Sequence, residues 1–416
     1  NKFCLIWLFA QYLQHQEELG LNKQNEIRDT ILKAPIDELT DMALETYNCH
    51  ENRTRIAAPD KFRFITGIGR AVFARAFGFK TRDYYNDPEV CLLAQLQWKL
   101  YIYHIIQDSN YFDLDVGIDY ATAYEPSFFG LESLEGECME PTYGQPILKN
   151  LDEIDDFEKP DFYSSGLMPR VHEMYSGIKE LAKDKLNVFF PGWARGPWSI
   201  ATIIRGFQEL FFDYVDNPDG LNKLMQFIVD SRIHWEDQRC RFLGISPKDH
   251  NYRWKYVAYR HNHNSDMFED EVDGNILSPA MIRELIIPYT KQLSDYYGGI
   301  DYYHSCGNLT GFLEDKAYPG LNICTMQHIS SWTDYKKAAS VVPRDIVLQV
   351  SLSATEDVFG TDEHLKSRIE YFLSNSNGHK VDICADALYN GSWDTLERVR
   401  QVSEIFREVA NKYNLA

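Results

Sequence analysis

The chain has 416 residues, 44% hydrophobic and 25% charged, an ordinary globular composition with ample length to bury a core. Its 62 acids against 42 bases leave a formal charge of -20, a surface that repels phosphate backbones and anionic headgroups, so nucleic-acid and membrane-surface binding are set aside. Eight cysteines over this length are too sparse for a secreted disulfide scaffold and point to a reducing, cytoplasmic setting.

Residues 1–50 read as helices with polar joints. Within them, residues 3–13 form an apolar run after a lysine with no small-residue cleavage pattern behind it. About a dozen residues are too few to span a bilayer as a helix. The reading is a buried N-terminal helix that takes part in a homodimer contact. Residues 59–115 continue as helices, among them Pro88–His104 with Leu92, Leu93, Leu96, Trp98 and Leu100 on its apolar surface. The stretch 110–165, rich in Gly, Pro and acids, reads as loops and short strands that cover something.

From there β-prone apolar runs alternate with amphipathic segments. Strands are predicted at Asn187–Pro191, Ile300–His304, Leu321–Met326, Ile346–Val350 and Val381–Cys384. Helices are predicted at Ile200–Phe212, Leu221–Cys240, 361–375 and 394–413. This alternation implies βα units and a parallel sheet. Repeated to this length, with no Gly-rich phosphate loop after an early strand, it favours an α/β fold of the closed (β/α)8 TIM-barrel type over a doubly wound sheet. With no internal repeat and no low-complexity linker, the division is a helical extension over 1–58 and one barrel domain over 59–416.

The segment Tyr302-Tyr303-His304-Ser305-Cys306-Gly307-Asn308 carries the most chemistry. A His and a Cys two apart at the end of an apolar strand leave the pleat on the same side. At the C-terminal end of a barrel strand they stand on the face where barrel enzymes keep their chemistry. Val381-Asp382-Ile383-Cys384 is another strand ending in cysteine, 78 residues beyond Cys306 and about two βα units further round. One His and two Cys leave a fourth tetrahedral position open, as in catalytic rather than structural zinc sites. Buried structural thiols are the plainer reading, since no CxxC pair accompanies them.

The segment YHSCGNLTGFL, with Cys384 at its distance, resembles the His-x-Cys…Cys zinc pattern of the corrinoid-dependent methyltransferases in the uroporphyrinogen decarboxylase superfamily. The resemblance runs over roughly residues 60–410 and includes Phe73–Tyr85, Gly192–Gly206, Asn275–Tyr289 and Gln349–Glu363. It implies a (β/α)8 barrel, a zinc ion on His304, Cys306 and Cys384, and a partner protein carrying a corrinoid (cobalamin). The arginine-rich N-terminal substrate motif of the decarboxylase itself has no counterpart here, and the chain is too acidic to gather several carboxylates of a porphyrinogen. Decarboxylation is therefore rejected. The segment ADALYNGSW after Cys384 also departs from the proline-containing continuation of the thiol-methylating members.

Around the proposed metal, His261, His263, Asp266, Glu269, Asp270 and Glu271 crowd one loop. Asp266, at the position resembling the family's acidic pair, is the candidate there for a catalytic carboxylate; a solvated acidic loop is the reading for the rest. His328 follows the strand Leu321–Met326 and is a second catalytic candidate, a hydrogen-bond donor to substrate. Arg195 and Trp198, in the loop after Asn187–Pro191, are candidates for holding an anionic group and stacking on a flat one. Their alternatives are loop anchor and packing residue. Of Tyr302 and Tyr303 only one points into the barrel, and Tyr303 is taken as substrate-binding.

Two methyl transfers fit such a zinc. In one, a methoxylated aromatic is O-demethylated to cobalt(I) of the corrinoid protein; aromatic richness, length and the altered segment after Cys384 favour it. In the other, a coenzyme-M-like thiol accepts the methyl of a methylcobamide. A barrel that binds corrinoid without chemistry, and a zinc lyase or hydrolase, are the readings from other classes.

Overall fold

The structure is a computed structural model that describes residues 23–57, 60–118, 120–137, 139–248, 268–270, 277–305, 307–314, 318, 320–329 and 332–414. Among the described residues ten strands run in chain order: β1 (Phe62–Ile68), β2 (Asp115–Gly117), β3 (Ser133–Gly136), β4 (Met139–Tyr143), β5 (Asn187–Phe189), β6 (Phe268–Asp270), β7 (Ile300–Ser305), β8 (Ile323–Ile329), β9 (Val347–Leu352) and β10 (Val381–Leu388). Six of them form one sheet in the order β1-β10-β9-β8-β7-β6, and every pairing in it is parallel. Parallel neighbours demand crossovers, which helices such as Asp362–Ser374 between β9 and β10 provide.

The last strand pairs with the first, which is how a ring of βα units closes. The ring is nevertheless incomplete among the described residues. Strands β2 and β5 pair in parallel with each other, in a separate two-stranded sheet. The closed barrel expected from the sequence is thus an α/β fold with an open six-stranded parallel sheet. One reason lies beside β1: Phe64 O accepts from Ser109 N at 2.8 Å, but Phe64 N donates to the Ser109 hydroxyl at 2.9 Å. A side chain takes the place of the backbone acceptor that would extend the ladder.

Strand β1 itself lies where the sequence reading had helices. Its alternation Phe62-Arg63-Phe64-Ile65 puts phenylalanines on one side, where Phe64 packs on Phe406 at 5.8 Å and Phe62 on Tyr413 at 6.5 Å, both in the helix Trp393–Asn414. Each such fully buried side chain is worth roughly 1.5–3 kcal/mol of apolar burial. The other predicted strands are present, with Val381–Cys384 extended to Leu388. The predicted helix Ile200–Phe212 is two, Pro197–Arg205 and Phe207–Asp216, broken at Gly206, whose φ of 103° is open only to glycine without strain.

The predicted helix Pro88–His104 begins with Asp87 accepting from the backbone nitrogens of Glu89 and Val90 ahead of Pro88, a strong N-terminal cap. It is α-helical over Pro88–Tyr101 and then opens into a π-turn at Ile102–Ile106. Strands β3 and β4 make an antiparallel hairpin within the stretch read as covering loops. No described helix is long and apolar enough to cross a membrane. Residues 3–13, assigned above to a dimer contact, lie outside the described residues.

Candidate functional site

Register decides which side chains share the inner face of the sheet. Arg63 pairs with Asp382, Asp382 with Gln349, Gln349 with Gln327, and Gln327 with His304. Residues in register across parallel strands leave the sheet on one side, so five polar groups form a row opposite the apolar face. In the next row up, Cys384 stands in register with Ile65 and Ser351. His304 and Cys384 thus lie on the same face, on β7 and β10.

Burial makes this row demanding, because each polar group needs a partner. Arg63 and Asp382 are 5% and 1% exposed and form a two-pronged ion pair, Nε to Oδ1 at 3.0 Å and NH2 to Oδ2 at 3.1 Å. Gln327 Nε2 donates to Ser351 Oγ at 2.6 Å, and Gln327 Oε1 is hydrogen-bonded to Nδ1 of His304. A carbonyl oxygen accepts only, so Nδ1 of His304 carries a proton, and in the neutral ring the lone pair is then on Nε2. Gln349 is fully buried, and neither its Nε2 nor its Oε1 has a well-formed hydrogen bond. Its amide lies close enough to Cys384 to favour the thiolate. Burial outweighs it and pushes the Cys384 thiol well up, with Asp386, Asp382 and Asp108 adding to the effect.

Of the expected metal ligands, His304 and Cys384 are described; Cys306 lies outside the described residues, as do Asp266, His261, His263 and Glu271. Among the described residues no three His, Cys, Asp or Glu side chains gather as a metal cage. His328 stands in register with Ser305 and Val350, one position out of step with the row that carries His304.

The structure gives Trp198 and Tyr303 to packing. Trp198 is fully buried. Tyr303 stacks nearly parallel on Phe312 at 5.7 Å, on the face turned to the helices, whereas Tyr302 shares the face of His304 and stacks on its ring at 6.3 Å. Arg195 is half-buried in a pinned loop. The Glu125 carboxylate accepts from the backbone nitrogens of Ala194 at 2.7 Å and Arg195 at 3.3 Å. The Arg195 carbonyl accepts from Trp193 Nε1 and Arg232 NH1, both at 3.1 Å. Burial raises the Glu125 carboxyl, and the charge of Arg195 and these backbone nitrogens oppose it.

Next to this face is a cavity of about 180 Å³ at the C-terminal ends of β1 and β10, walled by the helix Pro88–Tyr101 and the segment that leads into β2. Asp386, two residues beyond Cys384, lines it together with Asp108 and Glu140 of the β3–β4 hairpin. Gly67 faces Asp386: a Cβ there would lie 2.5 Å from its Oδ1, so only glycine lets the carboxylate cross to β1. None of Gln327, Gln349 and Asp108 was singled out from the sequence, and of the pair Tyr302–Tyr303 the other member was taken. A glutamine in the middle of the apolar run Ile346–Val350 was the available signal, since a buried amide is retained only with partners.

Comparison with known proteins adds three findings. Residues 75–236 match the family model described as uroporphyrinogen decarboxylase (URO-D). The fold is similar to that of a methyltransferase from Methanosarcina mazei, with a TM-score of 0.58 and 15% identity over 84% of this chain and 94% of that chain. No curated protein sequence matches.

Proposed function

We propose that this chain, whose residues 75–236 match the uroporphyrinogen decarboxylase (URO-D) family model, is a zinc-dependent methyltransferase that demethylates a methoxylated aromatic together with a corrinoid-carrying partner protein. The observation that carries the reading is the placement of His304 and Cys384 on one buried face of one parallel sheet, beside an aromatic-walled cavity. In this reading β1, β2 and β5–β10 are the staves of one (β/α)8 barrel, and the protein is a cytoplasmic enzyme.

The donor set fits zinc on its chemistry. The Gln327 carbonyl on Nδ1 of His304 is the outer-shell arrangement that fixes the tautomer of a metal-bound imidazole and turns Nε2 to the metal. His304, Cys306 and Cys384 would hold the ion, leaving one position open. Zinc so held would supply Lewis-acid polarisation of the donor's ether oxygen. The chain's own residues do the rest. Gln327 and Ser351 keep His304 oriented, the Arg63–Asp382 pair holds β10 in register beneath Cys384, and the aromatic side chains of the cavity wall would pack on the ring. Asp266 is the proposed carboxylate near the metal, with Arg195 at the mouth; His328, in the alternate row by register, is not placed with them.

Elemental analysis of wild type and of Cys306→Ala is the test. About one zinc per chain, lost in the variant, supports the site. Mixing the zinc-loaded protein with cobalt(I) corrinoid and methoxyarenes should then yield methylcobalt absorbance. Metal absent from both proteins overturns the mechanism. Methyl transfer to a coenzyme-M-like thiol, without activity on methoxyarenes, would replace the substrate.

A further inference from the structure

The cavity at the ends of β1 and β10 has the size and lining of an arene site. A dry cavity of about 150 Å³ already admits benzene, so about 180 Å³ accommodates a substituted ring. Phe73, Tyr84, Trp98, Tyr103, Phe112 and Phe189 stand along its wall. The π-turn Ile102–Ile106 brings Ile102 and Tyr103 onto that wall, and π-turns recur where a helix is bent to serve a site.

The charges of the wall are one-sided. Its acids are Asp108, Asp113, Glu140 and Asp386, and its cations are Lys99 and Arg70. Both cations are already committed to acids of the same wall: Lys99 Nζ lies 2.6 Å from Asp113 Oδ1, and Arg70 NH1 lies 3.5 Å from Glu140 Oε2. A ligand carboxylate would therefore meet an acidic wall.

Asp108 is the acid with acceptor capacity to spare. It is 3% exposed. Its Oδ2 accepts from Thr66 Oγ1 at 3.1 Å and Asn110 Nδ2 at 3.0 Å, and its Oδ1 accepts from Asn110 N at 3.1 Å. A carboxylate offers about four lone-pair sites, so one on Oδ1 remains for a hydroxyl in the cavity.

We infer that the cavity takes a methoxyphenol ring bearing no carboxylate, its phenolic hydroxyl donating to Asp108, and that Asp108 sets the preference against carboxylated rings. This rests on the reading of a methoxylated aromatic as donor and specifies its class. A ring carboxylate para to that hydroxyl lies about 9 Å from the Asp108 carboxylate, and two like charges at that separation in a partly desolvated site weaken binding on the order of 10-fold.

Calorimetric titration of the full chain with 2-methoxyphenol and with 4-hydroxy-3-methoxybenzoate is the experiment. Wild type should bind the first and hold the second at least tenfold more weakly, and Asp108→Asn should bring the two within about threefold. Ile102→Trp fills the cavity from the π-turn and should abolish binding of 2-methoxyphenol, which keeps the inference open to refutation even where Asp108→Asn does not fold. Equal affinities in wild type, an undiminished gap in Asp108→Asn, or wild-type binding by Ile102→Trp would each overturn it. Binding needs neither zinc nor corrinoid, so ring selectivity without methyl transfer would uphold this pocket while removing the proposed reaction.

Discussion

Replacing Gln327 by methionine keeps the length of the side chain and removes both of its amide contacts. Gln327 is 1% exposed; its Oε1 holds His304 Nδ1 and its Nε2 donates to Ser351 Oγ at 2.6 Å. A buried polar group that loses its partner costs about 1–3 kcal/mol, so the two contacts together should lower the unfolding free energy of the zinc-free protein by about 2–6 kcal/mol. The second effect concerns the metal. An imidazole whose Nδ1 proton has lost its acceptor takes either tautomer and more than one ring orientation. Outer-shell partners of this kind change metal affinity about 10–100-fold, equivalent to about 1.4–2.7 kcal/mol. Urea unfolding reads the first quantity, and zinc competition against a chromophoric chelator reads the second. Gln327→Glu retains an acceptor and should keep most of the affinity. Zinc binding by Gln327→Met within twofold of wild type, alongside the expected loss of stability, would refute the assignment of His304 as an oriented ligand.

Arg63→Leu strips the partner from a buried carboxylate and should cost about 3–5 kcal/mol in urea unfolding, while the double variant Arg63→Leu/Asp382→Leu should recover most of it. A single variant no worse than the double would show that the pair is not the constraint on β1 and β10. Glu125 is held above the ordinary carboxylate range by burial. Its contribution is favourable below the unfolded pKa and is lost as pH rises through the raised folded value. Glu125→Gln should therefore gain stability relative to wild type as pH climbs from the acid range toward neutrality, read by urea unfolding at several pH values; a pH-independent difference counts against it. Trp198→Ala should destabilise by about 3–5 kcal/mol as a buried aromatic truncation and leave zinc content unchanged. Loss of metal without loss of stability would return Trp198 to the site.

Periodicity made most of the α/β pattern legible. The runs at Ile346 and Val381 are uniformly apolar on one face because that face packs on helices, and both, like the run at Ile300, proved to be strands of the parallel sheet. His304 and Cys384 were legible for a different reason. Soft or ionisable ligands at strand ends are rare enough to stand out, and both lie on one face by register. What periodicity could not convey was which face. Tyr303 and Trp198 look like site aromatics by type and position, yet alternation along β7 gives Tyr303 to Phe312 and leaves Tyr302 beside His304. The amides of Gln327 and Gln349 were passed over because glutamine carries no catalytic charge, although two buried amides in adjacent strands are costly unless they serve something.

The misses on β1 and on the closed ring have a common physical origin. Phe62–Ile68 is short, carries Arg63 at its second position and ends toward Gly67 and Gly69, so nothing in it repeats long enough to separate strand from helix. Its far edge is then met by Ser109 alone, whose backbone nitrogen donates to Phe64 O and whose hydroxyl accepts from Phe64 N. A continuous β1–β2 ladder would draw the segment after Asn110 against β1. Its diversion to pair with β5 leaves Asp108, Tyr111 and Phe112 lining a cavity between the two. Local rules are most often broken where function demands it. Here the seam that departs from a regular barrel, the π-turn that departs from a regular helix, and a buried carboxylate with spare acceptor capacity all converge on one cavity wall, two residues along β10 from Cys384.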